Sequence, residues 1–189
     1  MQQRPTYALF LRLAGALSFA TMSMLIKQAG ELGISLPEIM FWRQFLTVPL
    51  LLGYLLAIGQ LERLKTQRIG MHATRAVVGM AGMVLTFSAV LLLPLAESTT
   101  LAFTTPLFAV ILAALVFHEH VGPWRWAAVA LGFTGVLVIA QPGQAPIPVL
   151  GALSGLGAAM MTAFISFLIR NMGRTEEPLR IVFYFSLFG

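Results

Sequence analysis

Six times along its 189 residues the chain offers an apolar run on the order of 20 residues between short polar breaks. That is the length a helix needs to cross a hydrocarbon core about 30 Å thick. The spacing predicts spans at Leu9–Ile26, Ile39–Gly59, Ala76–Leu93, Thr99–Phe117, Trp126–Ala140 and Val149–Ile169. The runs are continuously apolar rather than alternating, and lipid offers backbone groups no outside partner, so helices are expected rather than strands. The fold class is therefore all-α, a polytopic membrane helical bundle. After Arg180 come nine more residues, Ile181–Gly189, a helical rise of about 13 Å that is too short to cross. The expectation there is a seventh span cut off. Gln2, Gln3 and Arg4 ahead of an apolar stretch would permit a cleaved leader, but Arg12 interrupts the stretch and five more spans follow, so the first run reads as a retained span.

Composition agrees: 58% of residues are apolar and 10% charged, against about 45–50% and about 25% in soluble domains. Disorder, a disulfide scaffold and a nucleic-acid module are excluded on these grounds. The absence of Cys removes thiolate metal sites and thiol redox chemistry. The net charge of +5 is explained by topology. With the N-terminus inside, Arg4, Arg12, Arg63, Lys65, Arg68, Arg75, Arg125, Arg170, Arg174 and Arg180 fall on or near the cytoplasmic side, and only Lys27 and Arg43 on the outer half. Affinity for anionic lipid headgroups is a by-product. Trp124 and Trp126 lie near the inner boundary and Trp42 near the outer one, where amphipathic rings belong.

Sliding the chain by 143 positions lays Leu13–Gly30 on Leu156–Gly173 with 7 identities in 18 pairs, among them Ser23 with Ser166 and Gly30 with Gly173. Lys27 then lies over Arg170 and Gln28 over Asn171. Five spans separate the equivalent points, so the second copy starts on the opposite side of the membrane. The sequence thus predicts an inverted five-helix repeat, a first unit complete over residues 7–142 and a second, truncated, beginning over residues 148–189. Inverted repeats suit alternating access around a site near the midplane.

The stretch Pro94-Leu-Ala-Glu-Ser-Thr-Thr, then Pro106-Leu-Phe, Glu119, Trp126 and Gly132-Phe-Thr-Gly135-Val, resembles the EamA domain of the drug/metabolite transporter superfamily. Lys27 and Arg43, the latter in Phe41-Trp-Arg-Gln-Phe, sit where such domains often carry a basic residue. The resemblance runs from about Tyr7 onward and implies a ten-helix transporter of two five-helix units. Ala128, where the family often has Gly, and the lack of a Trp in the first span are departures.

The fourth span is the most polar. Ser98, Thr99, Thr100, Thr104 and Thr105 precede Pro106, which lacks an N–H and frees the carbonyl of Ala102. These hydroxyls either line a substrate path or bond back to carbonyls and across to neighbouring helices. The substrate-path candidates are Thr100, Thr104, Thr105, Pro106, Phe103, Ser23 and Ser166. A charge inside apolar surroundings needs a partner or water: Arg43 could pair with Glu97 as an outer gate, or snorkel to headgroups as an anchor, as could Lys27. Glu119 is expected to hold the turn after the fourth span, braced by Arg125. His118 and His120 lack a convincing further ligand, so no metal is expected, and His72 is expected in solvent. Small residues at Gly151 and Gly155, Gly79 and Gly82, and Ala128, Gly132 and Gly135 are spaced for close helix packing.

No nucleophile–base constellation is visible, which reads against an enzyme, and no cofactor is expected. The function expected is a secondary transporter of a small organic metabolite in the plasma membrane, the bacterial inner membrane, the chain being a fragment of a ten-helix protein. The expected partners are the lipid bilayer and that metabolite, not nucleic acid. The alternative is a non-transporting assembly subunit or an inactive truncated product. A homodimer could restore two halves, though the added span and a half makes the pairing awkward.

Overall fold

The computed structural model describes residues 5–116, 118–140 and 148–189. Phe117, the expected end of the fourth span, and residues 141–147, where the junction between the expected units falls, lie outside the described residues, as do Gln2, Gln3 and Arg4. Every regular element described is helical. The elements are α1 (Pro5–Glu31), α2 (Leu36–Ala57), one turn of 3₁₀ helix (Leu61–Leu64), α3 (Ile69–Leu92), α4 (Leu95–Ala102), α5 (Thr105–Leu115), α6 (Pro123–Ala140), α7 (Val149–Met172) and α8 (Pro178–Phe188). Among the described residues, five segments are long and apolar enough to cross a membrane: Thr6–Glu31, Leu36–Ala57, Ile69–Leu92, Leu95–Leu115 and Val149–Met172.

The punctuation is chemical. Proline stands in the first turn of α2, α5 and α8, where its missing N–H costs nothing and its fixed φ fits the helix. Gly59, at φ +65°, ends α2: the N–H groups of Gly59 and Gln60 return to Leu56 and Leu55, and a left-handed residue is what that reversal requires.

α3 is the central helix. It packs most extensively against α7 and also meets α8, α1, α4 and α2. Bare helix surface makes this possible. A Cβ on Gly82 would lie 3.1 Å from Ile165 and 3.2 Å from Met161, one on Gly157 3.2 Å from Leu85, and one on Gly155 2.6 Å from Leu101. Backbones approach through such small residues and gain dispersion contacts where lipid supplies no hydrophobic drive between helices. On the other side of α3, Met83, Phe87 and Val90 close with Ile26 of α1 and Met40 of α2 into a buried apolar cluster. α1 is the least buried of the five crossing segments.

Two expectations are corrected. The fourth span is not one straight helix: α4 stops at Ala102 and α5 begins at Thr105, because Pro106 cannot supply the N–H that the ladder needs. α3 begins seven residues before the expected Ala76, so His72 lies inside a helix and is 1% exposed, not in solvent. Ile69, Met71 and Ala73 carry the helix on, and a buried carboxylate meets the imidazole.

Candidate functional site

Beside the break between α4 and α5 lies a cavity of about 150 Å³. Ser23 of α1, Thr86 of α3, Ser98 and Thr99 of α4, Thr105 of α5 and Thr162 of α7 bring hydroxyls to it, between apolar walls such as Val90 and Ala159. Most of these hydroxyl hydrogens are already placed. Ser23 donates to Phe19 O, Thr86 to Gly82 O, and Ser98 and Thr99 to Leu95 O. Thr105 donates to Ala102 O at 2.7 Å, so the carbonyl freed by Pro106 is met by the hydroxyl of the preceding residue. Each oxygen keeps lone pairs for a guest, so the cavity offers mainly acceptors.

Of the substrate-path candidates, Ser23 and Thr105 line this cavity. Thr104 is fully buried and donates to Leu101 O, Thr100 donates to Ala96 O and Ser166 to Thr162 O. Phe103 is 72% exposed, and Pro106 stands in the first turn of α5; neither faces this space. Thr86 and Thr162 were not singled out in the sequence, where isolated threonines in apolar helices carry no pattern.

A second cavity, of about 280 Å³, shares Phe19, Thr86 and Thr162 with the first and adds Arg43 and Arg75. The Arg43 guanidinium contacts the Met83 sulfur and lies 5.7 Å from the centre of the Phe87 ring. Arg75 lies 4.2 Å above the Phe185 ring, and its Nη1 occupies the space that a Cβ on Gly79 would fill. Arg75 Nε and Nη1 are buried and have no hydrogen-bond partner. Cation–π contact supplies about 0.5–2 kcal/mol, whereas a charge at a helix centre costs about 2.5–3.5 kcal/mol on insertion scales. The rings offset only part of the cost.

The gate expected between Arg43 and Glu97 is not formed: Glu97 stands in the first turn of α4, where the helix dipole favours a carboxylate, and no ion pair joins the two among the described residues. Lys27 instead donates to Leu91 O and Leu93 O at 3.0 and 3.1 Å, closing the C-terminal end of α3. The turn after α5 is held by the Glu119 N–H on Ala113 O; an ion pair with Arg125 does not brace it.

Charge is handled differently where α3 begins. Glu176, between α7 and α8, accepts from Arg180 at 2.6 Å and from Thr66 at 2.8 Å, with His72 Nε2 at 3.6 Å. Burial pushes the Glu176 carboxyl up, but the hydrogen bonds from Arg180 and Thr66 and the charges of Arg180 and His72 outweigh it and hold the group below its ordinary value. Arg180 Nε also donates to Arg63 O and the Tyr184 hydroxyl to Leu64 O, while Arg68 reaches Thr175 and Asn171. The segment before α3 is thereby fastened to the turn before α8.

With this geometry in view, the sequence profile of the EamA-like transporter family matches residues 6–141. The chain belongs to the EamA-like transporter family. It is thus a multi-pass membrane protein, a transporter-family member rather than an enzyme. This EamA-like chain is 27% identical over 189 residues to a riboflavin transporter of Vibrio cholerae, covering 99% of the chain and 63% of the relative. To the pseudopaline exporter CntI of Pseudomonas aeruginosa it is 30% identical over 177 residues, covering 93% and 61%. An S-adenosylmethionine uptake transporter of Rickettsia prowazekii is 30% identical over 105 residues, covering 56% and 35%. The EamA-like chain thus spans about three fifths of the length of the first two. No solved structure matches it.

Proposed function

We propose that the chain is the first unit and the beginning of the second of a ten-helix carrier. In this reading it moves a small organic metabolite across the bacterial inner membrane by alternating access, with the N-terminus in the cytoplasm. The observation that carries the reading is the pair of adjoining cavities, one carrying hydroxyls between apolar walls and one carrying two arginines, held by helices of a transporter-family chain. The two volumes together fall in the range of about 300–1,000 Å³ usual for small-molecule sites. The correspondence of Leu13–Gly30 with Leu156–Gly173 supports two related units of opposite orientation. Leaving out Arg75, which lines the same cavity as Arg43, nine of the twelve basic residues fall on one expected side, which supports the orientation. The alternative reading is a membrane assembly subunit that carries nothing.

Reconstitution in proteoliposomes separates the two. A panel that includes riboflavin, pseudopaline and S-adenosylmethionine is expected to give flux above empty vesicles for at least one solute. Flux equal to empty vesicles throughout would favour the assembly subunit.

A further inference from the structure

We propose that the second cavity is an oxyanion site: the cargo carries a carboxylate or phosphate group that binds between Arg43 and Arg75, while its uncharged polar body extends into the hydroxyl-lined cavity. The inference rests on the carrier reading and names the class of its substrate.

The argument begins with what the two guanidinium groups lack. No acidic residue is among those lining the cavity. Arg75 Nε and Nη1 are buried and unpartnered, and Arg43 faces a thioether sulfur, a weak acceptor, and an aromatic ring. Two like charges therefore share one cavity, Arg75 with two nitrogens buried and Arg43 at its exposed side, and the groups lining it are rings, hydroxyls and a sulfur rather than carboxylates. Guanidinium is a planar fork of donors that fits the paired oxygens of a carboxylate or phosphate, and it stays charged at any physiological pH.

The slot is also built. Arg75 runs along α3 to Gly79, where a Cβ would collide with its Nη1, and Phe185 of α8 supports the guanidinium from one face. A side chain that merely snorkelled to headgroups would not need a bare patch on its own helix. The cargo's body has somewhere to go: Phe19, Thr86 and Thr162 belong to both cavities, so the arginines adjoin the acceptor-rich wall of Ser23, Ser98, Thr99 and Thr105. A molecule with an anionic head and hydroxyl or amide donors meets both.

The test is thermal unfolding of the purified chain in detergent at constant ionic strength. Millimolar succinate, citrate or glycerol 3-phosphate is compared with chloride, and with succinamide and glycerol as uncharged counterparts. At least one oxyanion is expected to raise the midpoint by several degrees while the uncharged compounds do not. Arg75→Met should raise the midpoint in chloride, since an unpaired buried charge is gone, yet weaken the oxyanion response by about tenfold or more. Arg75→Lys should retain part of that response. Gly79→Ala, which keeps both charges but fills the slot, should also weaken it.

The proposal is overturned if no oxyanion exceeds chloride, if the uncharged counterparts do as well, or if Arg43→Met and Arg75→Met both respond like the unaltered chain. In proteoliposomes, flux confined to uncharged or cationic solutes and indifferent to both variants would overturn it and leave the carrier reading standing. Oxyanion stabilisation without flux of any solute would do the reverse.

Discussion

His72 and Arg75 stand three residues apart on α3, both with buried nitrogens that make no hydrogen bond, and what differs is the company each keeps. Beside His72 a carboxylate is enclosed: Glu176 accepts from Arg180 and Thr66, Arg180 Nε donates to the Arg63 carbonyl, and the imidazole, its two nitrogens buried without a hydrogen bond, lies 3.6 Å from that carboxylate. At Arg75 nothing closes; two donors are buried without acceptors, and the neighbouring cation, Arg43, makes the deficit larger. A buried charge supplied with hydrogen bonds from several elements fastens those elements together, and removing one member leaves the others stranded. A buried charge kept without an acceptor is a standing cost, and chains keep such costs mainly where function uses them. The first region holds the bundle in register. The second is where a guest would change the energetics.

The largest effect is expected from Glu176→Gln. It leaves Arg180 without its counter-charge, and denaturant unfolding in detergent should show a loss of about 3–5 kcal/mol. A loss within the roughly 0–1 kcal/mol of a surface pair would erase the distinction between the two regions. The same variant sharpens it through pH. The Glu176 carboxyl is held below its ordinary value of 4.5, so its contribution is fully present above the unfolded value and is lost as pH falls through the lower folded one. Glu176→Gln should therefore flatten the acid limb of the stability profile.

Lys27 is an intermediate case, a cation satisfied by two backbone carbonyls. Lys27→Met should cost about 1.5–3 kcal/mol, the worth of hydrogen bonds to a charged group, read from the same unfolding curves. A gain in stability would mean that Lys27 belongs with Arg75 rather than with Arg180. Smaller still is the packing contrast. Gly82→Leu, pressed against Met161 and Ile165, should cost about 1–3 kcal/mol, whereas Gly15→Ala, on α1 with nothing within 4 Å, should gain about 0.5–1 kcal/mol. Equal effects at the two sites would show that the α3–α7 contact is not what orders the bundle.

The helices were legible because each apolar run reports its own environment. Leu9–Ile26 and Val149–Ile169 lie inside α1 and α7, and the expected closeness at Gly82, Gly151 and Gly155 is found where those residues meet Met161, Leu93 and Leu101. The polar contacts were not legible, because they join residues far apart in the chain. Glu176 reaches Thr66 across 110 positions and Gln44 reaches the Phe185 carbonyl across 141, and no local pattern marks either. His72 was misjudged for the same reason: a histidine near a predicted boundary looks solvated until the carboxylate that covers it is brought in by another turn. Arg43 was visible as a charge in an apolar run, but its companion Arg75 was not, since the start of α3 lay seven residues before the hydropathy break suggested.

The interruption between α4 and α5 carries its own solvent. Leu101 O receives both the N–H and the hydroxyl of Thr104, and Ala102 O, which an unbroken ladder would have used, receives the hydroxyl of Thr105. A joint finished in this way leaves fewer bare peptide groups facing hydrocarbon, which lowers what it costs the chain to bend at membrane depth.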